Sequence, residues 1–307
     1  MEIDFWKRLV EINGEACVEA EVPMRKHTTF RIGGNARYFV RAVGPTQLWE
    51  TMEACKTAGM PYYILGNGSN VLISDKGYPG VIIRLDMQQI VEEDGEDLKS
   101  GRLRVQAGAL LVRVAHQAAR LHLSGLEFAS GIPGSVGGAL VMNAGAYGGE
   151  MKGVVEKALV LTQEGRPIWL SQEELELGYR TSVIGRKSYV VLEAVFLLEK
   201  RENSQPIWDK MEELKKARVE KQPLEYASAG STFKRPIGYF AGKLIMDAGL
   251  RGYQIGGAQV SEKHCGFIIN RGDATAQDVL DLVEHVKTQV KHQFGVDLEM
   301  EIKLLGF

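Results

Sequence analysis

The stretch EFASGIPGSVGGALVMNAGAYGGEM, residues 127–151, decides how the rest of this chain is interpreted. It contains seven glycines, and its charged residues are Glu127 and Glu150, at or near its two ends. Glycine has no side chain, so a run of this kind exposes backbone atoms or allows close packing. The stretch is therefore a flexible linker, a tightly packed turn, or a surface on which a ligand contacts the backbone directly.

A second stretch of the same kind, LGNGSNVLIS at residues 65–74, favours the ligand interpretation. Apolar residues such as Ile132, Val136 and Leu140 interrupt the first stretch regularly, which argues against a linker. Backbone N–H groups in glycine-rich turns form concave sites for anions. Two such turns suggest a long ligand with a diphosphate in its middle, although packing alone stays open as the alternative. Neither a GxGxxG nor a GxxxxGK[ST] motif is present.

The composition excludes several classes of protein. The chain has 307 residues and a formal net charge of −2, which does not suit a nucleic-acid-binding protein. Its three cysteines lie far apart, so neither a disulfide framework nor a zinc site is indicated, and burial as small apolar residues is expected. No signal peptide and no membrane-spanning run is recognisable, which predicts a cytoplasmic protein. No helical i, i+4 histidine pair occurs, so no metal site is predicted.

Hydrophobic periodicity predicts an α+β chain. Short strands alternate with helices over the first two thirds, and the polar segment 200–207 suggests a boundary to a smaller α+β domain, 201–307. A helix over 275–294 should bury Val279, Leu282, Val283, Val286 and Val290. The alternating segment LEMEIKLLG, 298–306, is predicted to be a strand, and Ser171 with Glu174 a capping box for a short helix.

Several segments together resemble one known family, the UDP-N-acetylenolpyruvoylglucosamine reductases. The resemblance extends in order over residues 25 to 305, and its shorter segments are HTTFRIGGNARYFV (27–40), LGYRTS (177–182), AGSTFKRP (229–236) and GLRGYQIGGAQVSEKHCGFIIN (249–270). It implies an FAD-binding domain of the vanillyl-alcohol-oxidase (PCMH) type at residues 1–200, with lobes of about 1–58 and 59–200, and a substrate domain at 201–307. The segment after Arg180 is too short for the extra tyrosine-bearing loop of one subtype, so the shorter subtype is indicated.

The resemblance implies non-covalent FAD as cofactor and NADPH as co-substrate. It places two glycine-rich turns at the FAD diphosphate and four further residues along the flavin. The expected cofactor-binding residues are Gly66, Asn67, Gly68, Ser69, Asn70, Pro133, Gly134, Ser135, Gly138, Asn143, Ala144 and Gly145.

The family reaction implied by the resemblance reduces the enolpyruvyl ether of a UDP-sugar in bacterial peptidoglycan precursor synthesis. Hydride addition to an alkene that bears a carboxylate needs charge stabilisation and a proton donor. By resemblance, Arg180 would bind that carboxylate, Glu301 would donate a hydrogen bond to the developing enolate in its protonated form, and Ser231 would protonate the carbon. Without the family, Arg180 and Glu301 would be interpreted as exposed charges and Ser231 as a turn residue.

Further residues fall at or near family positions that hold the UDP-sugar, namely Tyr147, Tyr179, Lys221, Arg235, Arg251 and His264. Arg235 stands where relatives often carry a neutral amide. A monomer is expected, with no nucleic-acid or membrane partner. Two other functions stay open: an oxidase of the same fold that uses oxygen, and a UDP-sugar-binding protein without catalysis.

Overall fold

The computed structural model describes residues 2–94 and 97–307, in which helices and strands alternate along the chain. This mixture agrees with the predicted α+β class. The α-helices are α1 Glu2–Asn13, α2 Pro45–Thr57, α3 Leu111–Arg120, α4 Val136–Val141, α5 Val183–Arg186, α6 Gln205–Lys221, α7 Ala241–Asp247 and α8 Ala276–Phe294.

The β-strands form five sheets in the described residues. They are β1 Val18–Pro23, β2 Asn35–Ala42, β3 Tyr62–Leu65, β4 Val71–Ile73, β5 Tyr78–Leu85, β6 Ile90–Asp94, β7 Ser100–Gln106, β8 Leu123–Ser124, β9 Gly145–Ala146, β10 Gly149–Glu150, β11 Val155–Leu161, β12 Pro167–Ser171, β13 Val190–Lys200, β14 Ala227–Ser231, β15 Gln254–Ile255, β16 Ala258–Val260, β17 Phe267–Asn270 and β18 Lys303–Leu305. One sheet has the order β1-β2-β5-β3.

The chain divides into two compact units that are interleaved in sequence. The first comprises Met1–Val18, Val40–Asn67 and Ile83–Arg218, and the second comprises Glu19–Phe39, Gly68–Ile82 and Val219–Phe307. The second unit therefore takes two short segments from the N-terminal part of the chain. The domain boundary at residue 200 and the two lobes before it stay predictions.

The first unit is built on an antiparallel sheet with the strand order β12-β11-β13-β7-β6, and β8 also pairs with β13. Strand β13, with the sequence VVLEAVFLLEK, is central and mostly buried. A near-continuous apolar strand of this kind is expected where both faces of a sheet are covered. Small residues meet at its centre, where Ala194 pairs with Ala158 on one side and with Val105 on the other.

Helix α4, the glycine-rich helix, packs closely against this sheet. A Cβ atom added to Gly137 would lie 3.1 Å from Ala107 Cβ and 3.6 Å from Val191 Cβ. The Gly137 N–H donates to Ala107 O at 2.8 Å, and the Val136 N–H donates to Ala109 O at 2.9 Å. The turn that follows β7 thus accepts hydrogen bonds from the first two N–H groups of the helix, which have no partner within it.

The second unit packs α8 against a sheet of order β14-β17-β16-β15. The five α8 residues expected to be buried are all in its core, which confirms the predicted helix and its apolar face. The N–H groups of Ala276 and Gln277 at the start of α8 donate to the Asp75 carboxylate. Thr275 and Asp278 complete a reciprocal capping box.

Two local predictions were wrong in part. Only Lys303–Leu305 of the 298–306 segment forms a strand, which pairs in parallel with β4, while Met300 makes an isolated bridge to Phe233. Ser171 and Glu174 do exchange two hydrogen bonds, but a series of turns follows them instead of a helix. The bonds of a capping box can form around a single turn, so the motif alone does not propagate a helix.

The expectation that all cysteines are buried holds for two of the three. Cys55 and Cys265 are buried, and burial raises the pKa of the Cys55 thiol to about 12. Cys17 is partly exposed because it ends a short 3-10 turn at the start of β1.

Removing the α8 cap should destabilise the protein. Replacing Thr275 with Ala removes the acceptor of the Asp278 N–H, and we expect the free energy of unfolding to fall by about 1 kcal/mol. Urea unfolding followed by tryptophan fluorescence measures this change. Thr275→Ser keeps the hydroxyl and should retain most of the stability. Equal losses for Ala and Ser would contradict a capping role.

Candidate active site

The two glycine-rich turns meet within the first unit. The Asn67 side-chain amide donates to Pro133 O at 2.7 Å, which joins the first half of GNGSN to the PGS turn. A Cβ atom on Gly66 would lie 2.5 Å from Ser135 Oγ, so a larger residue there would displace the Ser135 hydroxyl. Four of the predicted cofactor-binding residues, Gly66, Asn67, Pro133 and Ser135, are therefore neighbours. Gly134, between the last two, accepts a hydrogen bond from the Leu111 N–H.

A cavity of about 490 Å³ opens beside these turns in the first unit. Gly66, Ser135 and Gly138 line it together with Tyr63, Val141 and Tyr189. A Cβ atom added to Gly138 would have only Ser135 Oγ, at 3.5 Å, within 4 Å. The cavity combines apolar walls with backbone atoms and a hydroxyl, as pockets for ring-containing cofactors do.

Other glycines of the first stretch serve packing. A Cβ atom on Gly145 would lie 2.7 Å from Gly149 O across the β9–β10 pair, and one on Gly149 would lie 2.6 Å from the Phe128 ring. Gly137 allows α4 to approach the sheet in the same way. Both explanations of the stretch therefore hold: Gly138 lines a cavity, Gly145 and Gly149 permit close packing, and Gly137 does both.

Asn143 and Ala144 follow α4 and are both buried. Asn143 has a φ of 45°, in the left-handed region that asparagine tolerates better than most residues. Its side-chain amide donates to Glu150 Oε2 at 3.1 Å and to Gly178 O at 3.2 Å, and its oxygen accepts from the Lys152 N–H at 2.9 Å. Both N–H donors and the oxygen of its side chain are thus engaged by protein groups, so its backbone is the part that is more available to a cofactor.

Arg180 lies in a tight turn of the first unit. Gly178 and Thr181 close this turn with two backbone hydrogen bonds of 3.1 and 3.2 Å. Arg180 has a φ of 55°, and its guanidinium lies 5.4 Å from the centre of the exposed Tyr179 ring. The chain then passes through the short helix α5 to β13. Tyr147, in the β9–β10 turn, is exposed and also has a positive φ of 53°.

Arg218 is a candidate functional residue that the sequence did not reveal. Its Nε atom is buried and has no hydrogen-bond partner among the described residues. Burial lowers the pKa of its guanidinium, and a Cβ atom on Gly131 would lie 2.7 Å from its Nη1. Arg218 as a whole is only partly buried, but a buried donor such as this Nε is costly unless an anionic or polar group meets it. In sequence, Arg218 is hidden in a charged helix that predicts a solvated face.

Ser231 and Glu301 lie close together in the second unit. Ser231 ends β14 after a bulge, with Gly230 at a φ of 76°. The Glu301 N–H donates at 2.8 Å to the carbonyl of Thr232, the residue after Ser231, and Glu301 is only 7% exposed. β-Bulges commonly re-aim a side chain beside an active site. Because Arg180 belongs to the first unit, its grouping with these two residues stays a prediction.

The remainder of the GNGSN turn belongs to the second unit. A Cβ atom on Gly68 would lie 2.1 Å from His27 O, so this glycine is required by the fold. The Asn70 side chain donates to Glu301 O at 3.3 Å, and Asn70 O accepts from the Lys303 N–H at 3.0 Å. Asn70 therefore fixes the backbone on which Glu301 lies. Ser69, partly exposed, lies between them.

The predicted substrate residues of the second unit lie in different surroundings. Arg251 lines a cavity of about 680 Å³ together with Lys263 and Arg271, and with Glu225 and Glu262. Its three cations outnumber its two carboxylates, which suits an anionic ligand.

Arg235 and Lys221 are exposed and lie outside that cavity lining. The Arg235 guanidinium lies 3.9 Å from the centre of the Phe240 ring, and its Nε donates to Tyr239 O at 3.4 Å. Lys221 is the last residue of α6.

His264 is partly buried, and its Nδ1 accepts a hydrogen bond of 3.2 Å from the Gly266 N–H. A nitrogen that accepts a hydrogen bond carries no proton, so in the neutral ring the proton lies on Nε2. Burial lowers the pKa of the imidazole. His264 can therefore donate a neutral hydrogen bond.

No group of three or more His, Cys, Asp or Glu side chains in residues 2–94 and 97–307 is arranged to hold a metal ion. Within the same part of the chain, no helix has the length and apolarity needed to cross a bilayer.

Similarity to solved structures defines the class of fold. A vanillyl-alcohol-oxidase-type flavoprotein from Myceliophthora thermophila aligns with 64% of this chain and 47% of its own, at 14% identity and a TM-score of 0.50. At this identity the likeness concerns the fold alone. Residues 36–171 match the family described as FAD binding domain. The chain is therefore a flavoprotein, with FAD as its cofactor and the predicted fold.

More similar relatives define the family. Residues 222–305 match the C-terminal domain of UDP-N-acetylenolpyruvoylglucosamine reductase. Proteins of that name from Lachnoclostridium phytofermentans and Clostridium perfringens are 50% and 48% identical over 304 residues, covering 98% and 99% of this chain and 96% and 98% of theirs. A crystal structure of the Thermus caldophilus reductase is 36% identical, with a TM-score of 0.76, and the match covers 94% of this chain and 98% of that one. The chain belongs to the UDP-N-acetylenolpyruvoylglucosamine reductase family.

Filling the first cavity should weaken FAD binding. We expect Gly138→Leu to raise the Kd for FAD roughly 10-fold to 100-fold, because overpacking costs about 1–3 kcal/mol. Quenching of flavin fluorescence during titration of the cofactor-depleted protein measures the Kd. Gly153→Leu, at an exposed glycine with no atom within 4 Å of the added Cβ, is the matched control. An unchanged Kd for Gly138→Leu would place the cofactor elsewhere.

The lowered pKa of His264 predicts a pH dependence of stability. Below the ordinary value of 6.5, the unfolded chain binds the proton before the folded one does, so acid favours unfolding. The free energy of unfolding of the wild type should therefore fall more steeply between pH 7 and pH 5 than that of His264→Gln. Urea unfolding at several pH values measures both slopes, and parallel slopes would contradict this assignment.

Proposed function

We propose that this chain reduces the enolpyruvyl group of UDP-N-acetylglucosamine enolpyruvate to give UDP-N-acetylmuramate, with NADPH as the electron source. The observation that carries the proposal is the family membership over nearly the whole chain. The motif residues Arg180, Ser231 and Glu301 are present in the sequence and support it. The reaction belongs to the synthesis of peptidoglycan precursors.

The residues of the first unit fit FAD. Gly66 and Gly138 line the cavity without side chains, and Ser135 offers a hydroxyl. The buried Nε of Arg218, without a partner among the described residues, fits an anionic or polar group of the cofactor or substrate. Held by these residues, FAD would supply the hydride chemistry that links NADPH to the terminal carbon of the enolpyruvyl double bond.

Hydride addition places negative charge next to a carboxylate, and we assign the groups that would handle this charge to three residues of this chain. Arg180 binds the substrate carboxylate through its forked donors, which keeps the alkene oriented and offsets negative charge. Glu301, buried beside the end of β14, donates a hydrogen bond to the developing enolate from its protonated form. Ser231 delivers its hydroxyl proton to the carbon next to the carboxylate.

The basic cavity of the second unit supports a place for the nucleotide part of the substrate. A UDP-sugar carries two phosphates, and Arg251, Lys263 and Arg271 converge on one cavity. Arg235 and His264 add a fixed charge and a neutral donor in the same unit. Tyr147, Tyr179 and Lys221 stay candidates for the rim of the substrate site.

A spectroscopic experiment separates this function from its alternatives. The absorbance of oxidised flavin should bleach under anaerobic NADPH and return when the enolpyruvyl substrate is added. An oxidase would instead need oxygen and form peroxide, and a binding protein without cofactor would have no such absorbance. In Ser231→Ala, bleaching should stay normal while the return slows by about 10²–10⁴-fold. Ser204→Ala, at the start of α6, is the control and should behave as wild type.

A further inference from the structure

The buried side chain of Asn143 connects three segments of the first unit. The amide nitrogen donates to Glu150 at 3.1 Å and to Gly178 at 3.2 Å, and the amide oxygen accepts from the Lys152 N–H at 2.9 Å. Asn143 is only 2% exposed. It therefore links the end of α4, the end of the β9–β10 hairpin, and the turn that contains Arg180.

The bond to Gly178 acts on the Arg180 turn itself. The same Gly178 carbonyl accepts from the Thr181 N–H at 3.2 Å and so closes the turn around Arg180. A second bond holds the other side of the turn, where Ser182 Oγ donates to Val141 O, the last residue of α4, at 2.7 Å. Arg180 is thus flanked by two connections to one end of one helix.

We propose that Asn143 is a positioning residue for Arg180, which it holds through the Gly178 carbonyl at the end of α4. The inference rests on the proposed function, in which Arg180 binds the substrate carboxylate. Helix α4 also lines the FAD cavity through Gly138 and Val141. One short helix then fixes both the cofactor cavity and the carboxylate-binding turn, so that their spacing does not depend on a flexible loop.

The position demands asparagine for chemical reasons. The backbone φ of 45° favours Gly, Asn or Asp. Of these, only Asn supplies two N–H donors together with an acceptor. An aspartate would have no donor and would place its charge against Glu150 and against the Gly178 carbonyl. Glycine would allow the backbone conformation without any of the three bonds.

The experiment compares Asn143→Gly and Asn143→Asp with wild type in the two half-reactions. Reoxidation of the reduced enzyme by the enolpyruvyl substrate should slow about 10-fold to 100-fold, because small misplacements of a binding group have effects of that size. The rate of reduction by NADPH and the Kd for FAD should stay at wild-type values. Stopped-flow absorbance measures both rates.

Asn13→Ala is the matched control. Asn13 is another buried asparagine of the first unit, and its amide donates to Leu9 O at 3.0 Å and to Thr51 Oγ1 at 2.9 Å. This variant should unfold at lower urea concentration but keep both half-reaction rates. The control thereby distinguishes an effect of lowered stability on reoxidation from an effect of a displaced Arg180.

A double-mutant cycle with Arg180→Lys tests the coupling. If Asn143 acts through Arg180, then Asn143→Gly should slow reoxidation little further once Arg180 is replaced. Additive effects, normal reoxidation in Asn143→Gly, or a raised Kd for FAD would overturn the inference. If Arg180→Lys alone leaves reoxidation unchanged, the role of Arg180 in the proposed function fails instead.

Should Asn143→Gly not fold, Ser182→Ala removes the second connection and should slow reoxidation in the same half-reaction.

Discussion

The close contact between α4 and the antiparallel sheet is the constraint on which the first unit depends. A six-residue helix with two internal glycines is intrinsically weak, since each glycine costs about 1 kcal/mol relative to alanine. The contact at Gly137, with its hydrogen bond to Ala107 O, holds the helix against the sheet. The next residue, Gly138, then lines the cavity together with Gly137. Tertiary packing, rather than helix propensity, therefore determines where this backbone lies.

The surroundings of each glycine explain why the glycines of this stretch are not interchangeable. At Gly137 an added side chain would meet the sheet, at Gly145 and Gly149 it would meet a hairpin and an aromatic ring, and at Gly138 it would enter the cavity. The first three positions therefore permit close packing, while Gly138, and Gly137 with it, keep the cavity open. A single compositional signal in the sequence thus reflects two different physical requirements.

Features that are local and periodic were the most predictable from the sequence. Helix α8 was predictable with its buried face, because its apolar residues repeat at helical spacing and a capping box precedes them. The segment around Glu301 was predicted less well, since its polarity alternates like that of a strand. Only Lys303–Leu305 finds a strand partner, whereas Glu301 pairs its backbone with Thr232. Alternation of polar and apolar residues indicates which side chains are buried. It does not indicate whether the edge of a sheet is available for the segment to pair with.

The candidate site was predictable only through its motifs, and two residues show why. Asn143 was expected beside the flavin because it stands in a glycine-rich motif. Its side chain instead forms hydrogen bonds with Glu150, Lys152 and Gly178, which are seven to 35 positions away in sequence. Arg218 looks like one more charge on a polar helix, yet its Nε is buried and its side chain lies against Gly131, which is distant in sequence.

In both residues, the side chain's role is set by partners that are distant in sequence, which neither composition nor spacing encodes. A motif therefore locates a site, while the hydrogen-bond partners decide what each of its residues does there. This distinction has a physical consequence for Asn143. With its amide and carbonyl groups already bonded, it has little capacity left for a ligand, and its contribution has to pass through the backbone that it holds. In the proposed function, the chemistry then falls to the side chain carried by that backbone, which in this turn is the guanidinium of Arg180.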